Sequence, residues 1–170
     1  WIINNNYNSK IVPIVLIADK SPLLVTSVLG ILLSGTAYNI IDKNYPSKRI
    51  ESYINILQPK LILNLCDYDF STFNELNDLL NIKNISYDYE LNKLDGISNN
   101  ISNDISNNIE IDEYDICSYA FTSGTEGTPK VVQGIYGSLT YFYDWMGSKF
   151  NIETGKERFS LLSGISHDPF

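Results

Sequence analysis

The sequence predicts an α/β fold in which a parallel sheet is flanked by helices. Two observations lead to this prediction. Short apolar runs rich in β-branched residues alternate with helical patterns, and proline or glycine marks the points where one element ends and the next begins. Such alternation is typical of parallel sheets, because strands that run in the same direction need a crossover helix between them. With 170 residues, 44% of them hydrophobic, the chain can supply one domain core or part of one.

The first half of the chain predicts the order β-α-β-α-β. Residues 11–18 form an apolar run that fits a buried strand. Ser21 fits an N-cap and Pro22 the first helical position, so we expect a helix from there to Leu33, ended by Gly35. The next predicted elements are a strand at 37–42, a proline-started amphipathic helix at 45–57 and a strand at 60–65.

The alternation continues into a low-complexity segment. A helix is predicted at 71–82, with Ser71 as its cap and Glu75 near the capping-box position, followed by a strand at 85–91. An Asn/Ser-rich repeat then occupies about 92–109 and spaces isoleucines four residues apart. We interpret this repeat as a disordered insertion or surface loop, because so few isoleucines bury too little area to offset chain ordering. A partner-docking helix with an isoleucine stripe is the alternative.

Charge and composition argue against several classes of function. The formal net charge is −8, from 12 basic and 20 acidic residues, which offers no basic surface for nucleic acid. The segment 22–41 approaches membrane-spanning length, but polar residues throughout its second half favour a buried helix and strand. Cys66 and Cys117 lack the spacing of a disulfide framework or a zinc site, so reduced thiols and no metal site are predicted. Because the chain begins with Trp1 and carries no signal-peptide pattern, we expect a fragment of a cytoplasmic protein.

The loop at 122–130 carries the residue types of an anion site. It follows a predicted strand at 116–121, and loops after parallel strands lie at the carboxyl edge of the sheet, where open α/β folds bind ligands. Gly124 and Gly127 let main-chain N–H groups approach an anion, neighbouring hydroxyls add donors, and Lys130 supplies a positive charge. This combination suits a polyphosphate, although the lysine register differs from that of the P-loop of nucleotide triphosphatases. A plain turn between two strands is the alternative.

The same stretch, FTSGTEGTPK, resembles the phosphate-binding motif of the adenylate-forming superfamily, a run of serine, threonine and glycine that ends in x-Pro-Lys. In that family the loop holds the β- and γ-phosphates of ATP, with magnesium, while a substrate carboxylate attacks the α-phosphorus. The products are an acyl adenylate and pyrophosphate. The resemblance implies that the ATP phosphates are bound by Thr122, Ser123, Gly124, Thr125, Gly127 and Lys130.

Two further segments are similar to the same superfamily. The stretch from 30 to 49 places residues on matching positions of an upstream family segment, and we expect a structural role for Asp42 and Arg49 within it. Residues 141–170 resemble the alpha-aminoadipate reductases, which implies that His167 and Asp168 bind the substrate. The upstream matches are Gly30, Gly35, Asp42, Tyr45, Pro46 and Arg49.

The resemblance implies activation of L-2-aminoadipate in lysine synthesis. It also implies that a longer parent protein contains a phosphopantetheine-bearing carrier domain and an NADPH-dependent reductase domain. Residues 1–170 then represent the amino-terminal part of an adenylation domain, without the distal family motifs that hold magnesium, ribose and the catalytic lysine. No catalytic residue is therefore predicted in this chain, which we expect to be inactive alone. The alternatives are a nonribosomal peptide synthetase adenylation domain, an acyl-CoA ligase or, from another class, an inactive truncated remnant.

Overall fold

The computed structural model describes residues 2, 6–71, 73, 87–88, 93–94, 109–122, 129–153, 155–158, 160 and 163–166. The helices in this part of the chain are α1 (Pro22–Leu33), α2 (Ser47–Leu57) and α3 (Tyr136–Phe150). The strands are β1 (Ile14–Ala18), β2 (Tyr38–Asp42), β3 (Leu61–Asn64), β4 (Tyr87–Asp88), β5 (Lys93–Leu94), β6 (Ile116–Thr122) and β7 (Lys130–Ile135).

The main sheet has five strands in the order β3-β1-β2-β6-β7. β1 pairs in parallel with β2 on one side and with β3 on the other. β6 also runs parallel to β2, with Tyr38 opposite Ser118, whereas β7 turns back and pairs antiparallel with β6. β4 and β5 form a separate antiparallel pair. The predicted α/β fold, a parallel sheet with flanking helices, is confirmed.

The core lies on both faces of β1. Val15 and Ile17 belong to a buried cluster on the face that α2 covers, whereas Ile14 and Leu16 belong to a second cluster on the face that α1 covers. This division follows from the alternation of side chains along a strand. Because a central parallel strand is buried on both faces, it needs the continuous apolar sequence seen at 14–18 rather than alternating polar residues.

α1 has the ends that the sequence predicts. The Ser21 hydroxyl accepts a hydrogen bond from the main-chain N–H of Leu24 at 3.2 Å, and Pro22 opens the helix. At the other end Gly35 has φ +65°, a left-handed conformation that costs a residue with a side chain more than it costs glycine. Local chemistry therefore determines both boundaries of this helix.

α2 starts two residues later than predicted, at Ser47 rather than at residue 45. Tyr45 precedes a proline, whose ring disfavours helical dihedrals in the preceding residue. Pro46 itself is extended, with ψ 138°, and acts as the N-cap by accepting main-chain bonds from Arg49 and Ile50. The loop that connects β2 to α2 is consequently longer than the proline signal suggested.

The hairpin of β6 and β7 completes the sheet. The predicted strand at 116–121 is confirmed as β6, which extends to Thr122, and its parallel pairing with β2 places that end at the carboxyl edge. β7 and α3 were not predicted as elements. α3 follows β7 directly, and none of its residues is fully buried.

Several sequence predictions fall on residues that the structure does not describe. The helix predicted at 71–82 lies almost entirely outside the described residues. Of the strand predicted at 85–91 only β4 is described, and of the insertion at about 92–109 only β5 and Ile109 are described. None of the described helices combines the length and the apolar character that crossing a bilayer requires.

Candidate functional site

The β6–β7 hairpin brings two predicted phosphate ligands together. Thr122, the last residue of β6, lies directly opposite Lys130, the first residue of β7, and both are exposed. This pair stands at the mouth of the hairpin, at the carboxyl edge of the parallel sheet. The other four predicted phosphate ligands lie outside the described residues, namely Ser123, Gly124, Thr125 and Gly127.

Strand alternation assigns this pair to one face of the hairpin. Ala120 and Val132 are the next partners on the face that carries Thr122 and Lys130, because side chains two residues apart point the same way. Phe121 points to the opposite face and packs in the α2-side core. Thr122 and Lys130 therefore share a face with residues that line a cavity.

This cavity has a volume of about 210 Å³ and opens on the β2, β6 and β7 part of the sheet. Its floor includes Tyr38 of β2, Ser118 of β6 and Gly134 of β7, and Ile165 and Ser166 contribute to its wall. These last two residues directly precede His167 and Asp168, which lie outside the described residues. The segment predicted to hold the substrate thus leaves the described part of the chain beside the same cavity.

The close approach of β6 and β7 at the cavity floor depends on a glycine. A Cβ at Gly134 would lie 2.4 Å from Ser118 Oγ, well inside van der Waals contact, so a larger residue would push the strands or the hydroxyl apart. Sequence reasoning did not identify these cavity residues. The signal available was the placement of small residues, Ser118, Ala120 and Gly134, on one face of neighbouring strands.

An ion pair occupies another part of the carboxyl edge. Lys43, which follows β2, donates a hydrogen bond to the carboxylate of Asp19, which follows β1, at 2.5 Å. This hydrogen bond, with the nearby negative charge, raises the pKa of Lys43. The pair ties the ends of two neighbouring strands together, so Lys43 already has a partner and is a weaker candidate for an anion ligand than Lys130.

The two cysteines are free, and neither has the surroundings of a nucleophile. Cys66 Sγ donates to the main-chain oxygen of Ile17 at 3.4 Å. Burial raises the pKa of the Cys66 thiol, and burial likewise raises the pKa of Cys117. Both thiols therefore stay protonated at neutral pH and serve packing.

Comparison with known proteins identifies relatives over nearly the whole chain. The model of the family described as AMP-binding enzyme matches residues 9–169. L-2-aminoadipate reductase large subunit of Penicillium chrysogenum is 31% identical over 166 residues, which cover 86% of this chain and 12% of that protein. L-2-aminoadipate reductase of Saccharomyces cerevisiae is 29% identical over 173 residues, with the same coverage of 86% and 12%. The chain therefore spans only about an eighth of the length of these relatives.

A carrier protein ligase and solved structures extend the comparison. D-alanine--D-alanyl carrier protein ligase of Staphylococcus epidermidis is 30% identical over 146 residues, covering 85% of this chain and 27% of that protein. The nonribosomal peptide synthetase FmoA3 superimposes with a TM-score of 0.66 at 19% identity, over 91% of this chain and 15% of that one. A four-domain nonribosomal peptide synthetase bound to AMP and glycine gives a TM-score of 0.64 at 21% identity, over 88% and 10% of the two chains.

These structural likenesses concern the fold, which agrees with the adenylation domains of those synthetases. The family match rests on the sequence and includes both arms of the hairpin and the segment up to Pro169. The chain therefore belongs to the AMP-binding enzyme family, and the matched residues are those of an adenylate-forming domain.

Proposed function

We propose that the protein to which this chain belongs uses ATP to convert the carboxylate of L-2-aminoadipate into an acyl adenylate. The observation that carries this proposal is the pairing of Thr122 with Lys130 at the carboxyl edge of the sheet, on the face that holds the cavity. The choice of acid is supported by the L-2-aminoadipate reductases among the relatives. The identity of the acid and the formation of an acyl adenylate can therefore be tested separately.

The hairpin mouth fits a polyphosphate. Lys130 is exposed, and no carboxylate of the described residues forms an ion pair with it, so its charge is available to an anion. In the proposed complex, main-chain N–H groups and hydroxyls of the loop donate to the β- and γ-phosphate oxygens while Lys130 neutralises part of their charge. The ligands in this proposal are Thr122, Ser123, Gly124, Thr125, Gly127 and Lys130.

The cavity fits the acid side of the reaction. Ile165 and Ser166 bring the chain to the cavity wall immediately before His167 and Asp168, the proposed substrate ligands. The substrate carboxylate oxygen forms a bond to the α-phosphorus, and the bond between that phosphorus and the bridging oxygen breaks as pyrophosphate leaves. Donors at the loop stabilise the negative charge that develops on the pyrophosphate.

In our proposal magnesium comes with ATP, whereas the cofactors of later steps belong to other parts of a longer protein. Mg²⁺ arrives bound to the phosphate oxygens of ATP, because magnesium is commonly held by substrate phosphates with few protein ligands. Phosphopantetheine and NADPH are proposed for the remainder of a longer protein, because the chain covers 12% of the reductase relatives. No residue of this chain is assigned to either group.

ATP–pyrophosphate exchange on the full-length protein tests the proposal. L-2-aminoadipate should stimulate exchange, and Lys130→Ala should lower it by about 100-fold, the size expected when one charge-stabilising donor is removed from a transition state. Gly124→Val should have a similar effect. Lys60→Ala is the matched control, because Lys60 is another exposed lysine next to a strand but lies at the opposite, amino edge of the sheet.

The outcomes separate the alternatives. Exchange stimulated by D-alanine but not by L-2-aminoadipate would keep the chemistry and replace the acid, in line with the carrier protein ligase relatives. Exchange with neither acid, nor with any of the common amino acids, would contradict the proposal and favour an inactive remnant. Equal activity of Lys130→Ala and Lys60→Ala would remove the hairpin from the mechanism.

A further inference from the structure

The loop before α2 touches the segment that leads to the proposed substrate ligands. Ser166 Oγ donates a hydrogen bond to Tyr45 Oη at 2.8 Å, across 121 residues of sequence. Tyr45 follows β2 at the carboxyl edge, and Ser166 is the residue immediately before His167. This side-chain bond therefore ties Ser166 to the loop that follows β2 at the sheet edge.

Arg49 fixes the ring that receives this bond. Its guanidinium carbon lies 4.0 Å from the centre of the Tyr45 ring and 5.2 Å from the centre of the Tyr53 ring. Arg49 Nε also donates to Tyr53 Oη at 2.8 Å. No carboxylate of the described residues forms an ion pair with Arg49, so its charge is used on the two aromatic rings. This arrangement orients the Tyr45 ring and thus its hydroxyl.

The same arrangement reaches the base of the hairpin loop. Tyr53 is buried and stacks on Phe121, with ring centres 3.6 Å apart and planes 8° from parallel. Phe121 directly precedes Thr122, the first proposed phosphate ligand. A continuous set of contacts therefore runs from Phe121 through Tyr53, Arg49 and Tyr45 to Ser166.

We propose that Tyr45 and Arg49 are positioning residues that hold Ser166, at the wall of the cavity, in place relative to the β6 end of the hairpin. The inference rests on the proposed function and deepens it, because it names side chains that touch neither substrate yet determine how the acid is presented. The physical reason is a series of contacts. Stacking on Phe121 fixes the buried Tyr53 ring, and the planar guanidinium of Arg49 fixes the Tyr45 ring against Tyr53. The Tyr45 hydroxyl is then oriented to accept the hydrogen bond from Ser166.

Steady-state exchange kinetics on the full-length protein test this proposal with L-2-aminoadipate as the varied acid. Tyr45→Phe and Ser166→Ala should each raise KM for the acid by about three- to tenfold, the effect of losing one neutral hydrogen bond. KM for ATP should change less than about twofold. The double variant should be no worse than the more impaired single variant, because both substitutions break the same bond.

Arg49 supplies a graded test of the same idea. Arg49→Met removes the charge and the Nε donor while keeping a long apolar side chain, and it should raise KM for the acid in the same way as Tyr45→Phe. Arg49→Lys keeps a cation near the rings but loses the planar guanidinium, so its KM should lie between those of the unmutated protein and Arg49→Met.

Tyr136→Phe is the matched control. Tyr136 Oη donates to the main-chain oxygen of Leu32 at 2.8 Å, so this substitution also deletes one tyrosine hydroxyl bond, but at the amino edge of the sheet. It should leave both KM values unchanged while lowering the thermal midpoint about as much as Tyr45→Phe does. A purely structural role for Tyr45 would make the two variants indistinguishable in KM.

Three results would overturn the inference. They are an unchanged KM for the acid in Tyr45→Phe, an additive effect in the double variant, and a KM increase of equal size in Tyr136→Phe. Absence of exchange in the unmutated protein with every acid tried would overturn the proposed function and this inference with it. If the unmutated protein shows exchange and Tyr45→Phe does not alter it, the inference is overturned but the proposed function is not.

Discussion

Two parts of the sheet differ in how completely they are enclosed, the part around β1 and the part at the β7 edge. In β1 no residue is more than 1% exposed, because strands flank it on both sides and helices cover both faces. In β7, at the edge, Val132 is 42% exposed, and the adjoining α3 has no buried residue. The β3-β1-β2 part with α1 and α2 therefore supplies most of the packing, whereas the β6-β7 part presents the candidate site.

The proposed function gives this difference a chemical reason. A loop that receives a charged triphosphate needs N–H groups, hydroxyls and a lysine that solvent or ligand can reach, which a closed core does not permit. The enclosed strands keep the carboxyl edge in place, and the open hairpin carries Thr122 and Lys130 at that edge. Substitutions in the enclosed part should consequently act on stability, and those at the hairpin mouth on activity.

The largest expected effect on stability comes from truncating a side chain in β1. Ile17 is completely buried and packs in the α2-side cluster, so Ile17→Ala should lower the free energy of unfolding by about 2–5 kcal/mol. Val132→Ala, on the edge strand, should lower it by less than about 1 kcal/mol, because much of that side chain is already in water. Denaturant unfolding of the two variants measures the difference, and similar losses would break the distinction between the two regions.

Two glycines of the enclosed region should give intermediate effects of opposite sign. Gly35, with φ +65°, connects α1 to β2, and a Cβ there would lie 2.7 Å from Ile109 Cγ2. Gly35→Ala should destabilise the protein by about 1–2 kcal/mol through backbone strain and this collision. Gly30 lies inside α1, and apart from its chain neighbours and the nearby backbone of the helix itself no described atom lies within 4 Å of the place that a Cβ would occupy, so Gly30→Ala should stabilise the protein by about 0.5–1 kcal/mol. Thermal unfolding compares them, and a loss of stability in both variants would contradict this account.

The smallest effect concerns the ion pair that joins the amino-terminal segment to the start of β6. The pKa of Asp115 is lowered by the main-chain N–H of Asp112 and then by Lys10, whose Nζ lies 2.7 Å from Asp115 Oδ2. Because the folded pKa is depressed, this contribution is present above the unfolded pKa of aspartate and is lost as the pH falls through the folded value. Asp115→Asn should therefore reduce the loss of stability on acidification, and only slightly because the pair is screened by solvent.

Unfolding curves at neutral and acidic pH provide the measurement for this pair. Asp144→Asn serves as the control, because Asp144 is an exposed carboxylate on α3 for which no described residue is a hydrogen-bond or ion-pair partner. Identical pH dependence in the two variants would show that the Lys10–Asp115 contact contributes nothing to holding the two regions together.

Sequence patterns predicted the enclosed region well because its boundaries are local. Ser21, Pro22 and Gly35 delimit α1 through a cap, a ring and a left-handed turn, each of which acts within a few residues. Prediction was weaker for α2, where the restriction that Pro46 imposes on Tyr45 moved the start to Ser47. The sequence showed that Pro46 lies near the start of α2, but it did not show at which residue the helix begins.

α3 was missed for an identifiable reason. Its N-cap is Ile135, which provides no side-chain hydrogen bond, and no acidic residue occupies its first turn, so the usual start signals are absent. The aromatic and aliphatic side chains of α3 are distributed around much of its circumference instead of forming one apolar stripe. A helical spacing is nevertheless present in the sequence and is the signal that could have revealed the helix, at Tyr136, Leu139, Tyr143, Met146 and Phe150.

The sequence by itself determined the α/β class, the first five elements and the position of a glycine- and hydroxyl-rich loop after a strand, because caps, proline rings and apolar periodicity act over short distances. Only the tertiary structure decided that β6 lies beside β2, that Thr122 and Lys130 lie on the hairpin face that lines the cavity, and that Ser166 bonds to Tyr45. Those relations join residues far apart in the chain. They depend on how sheets and helices pack in three dimensions, which no local pattern specifies.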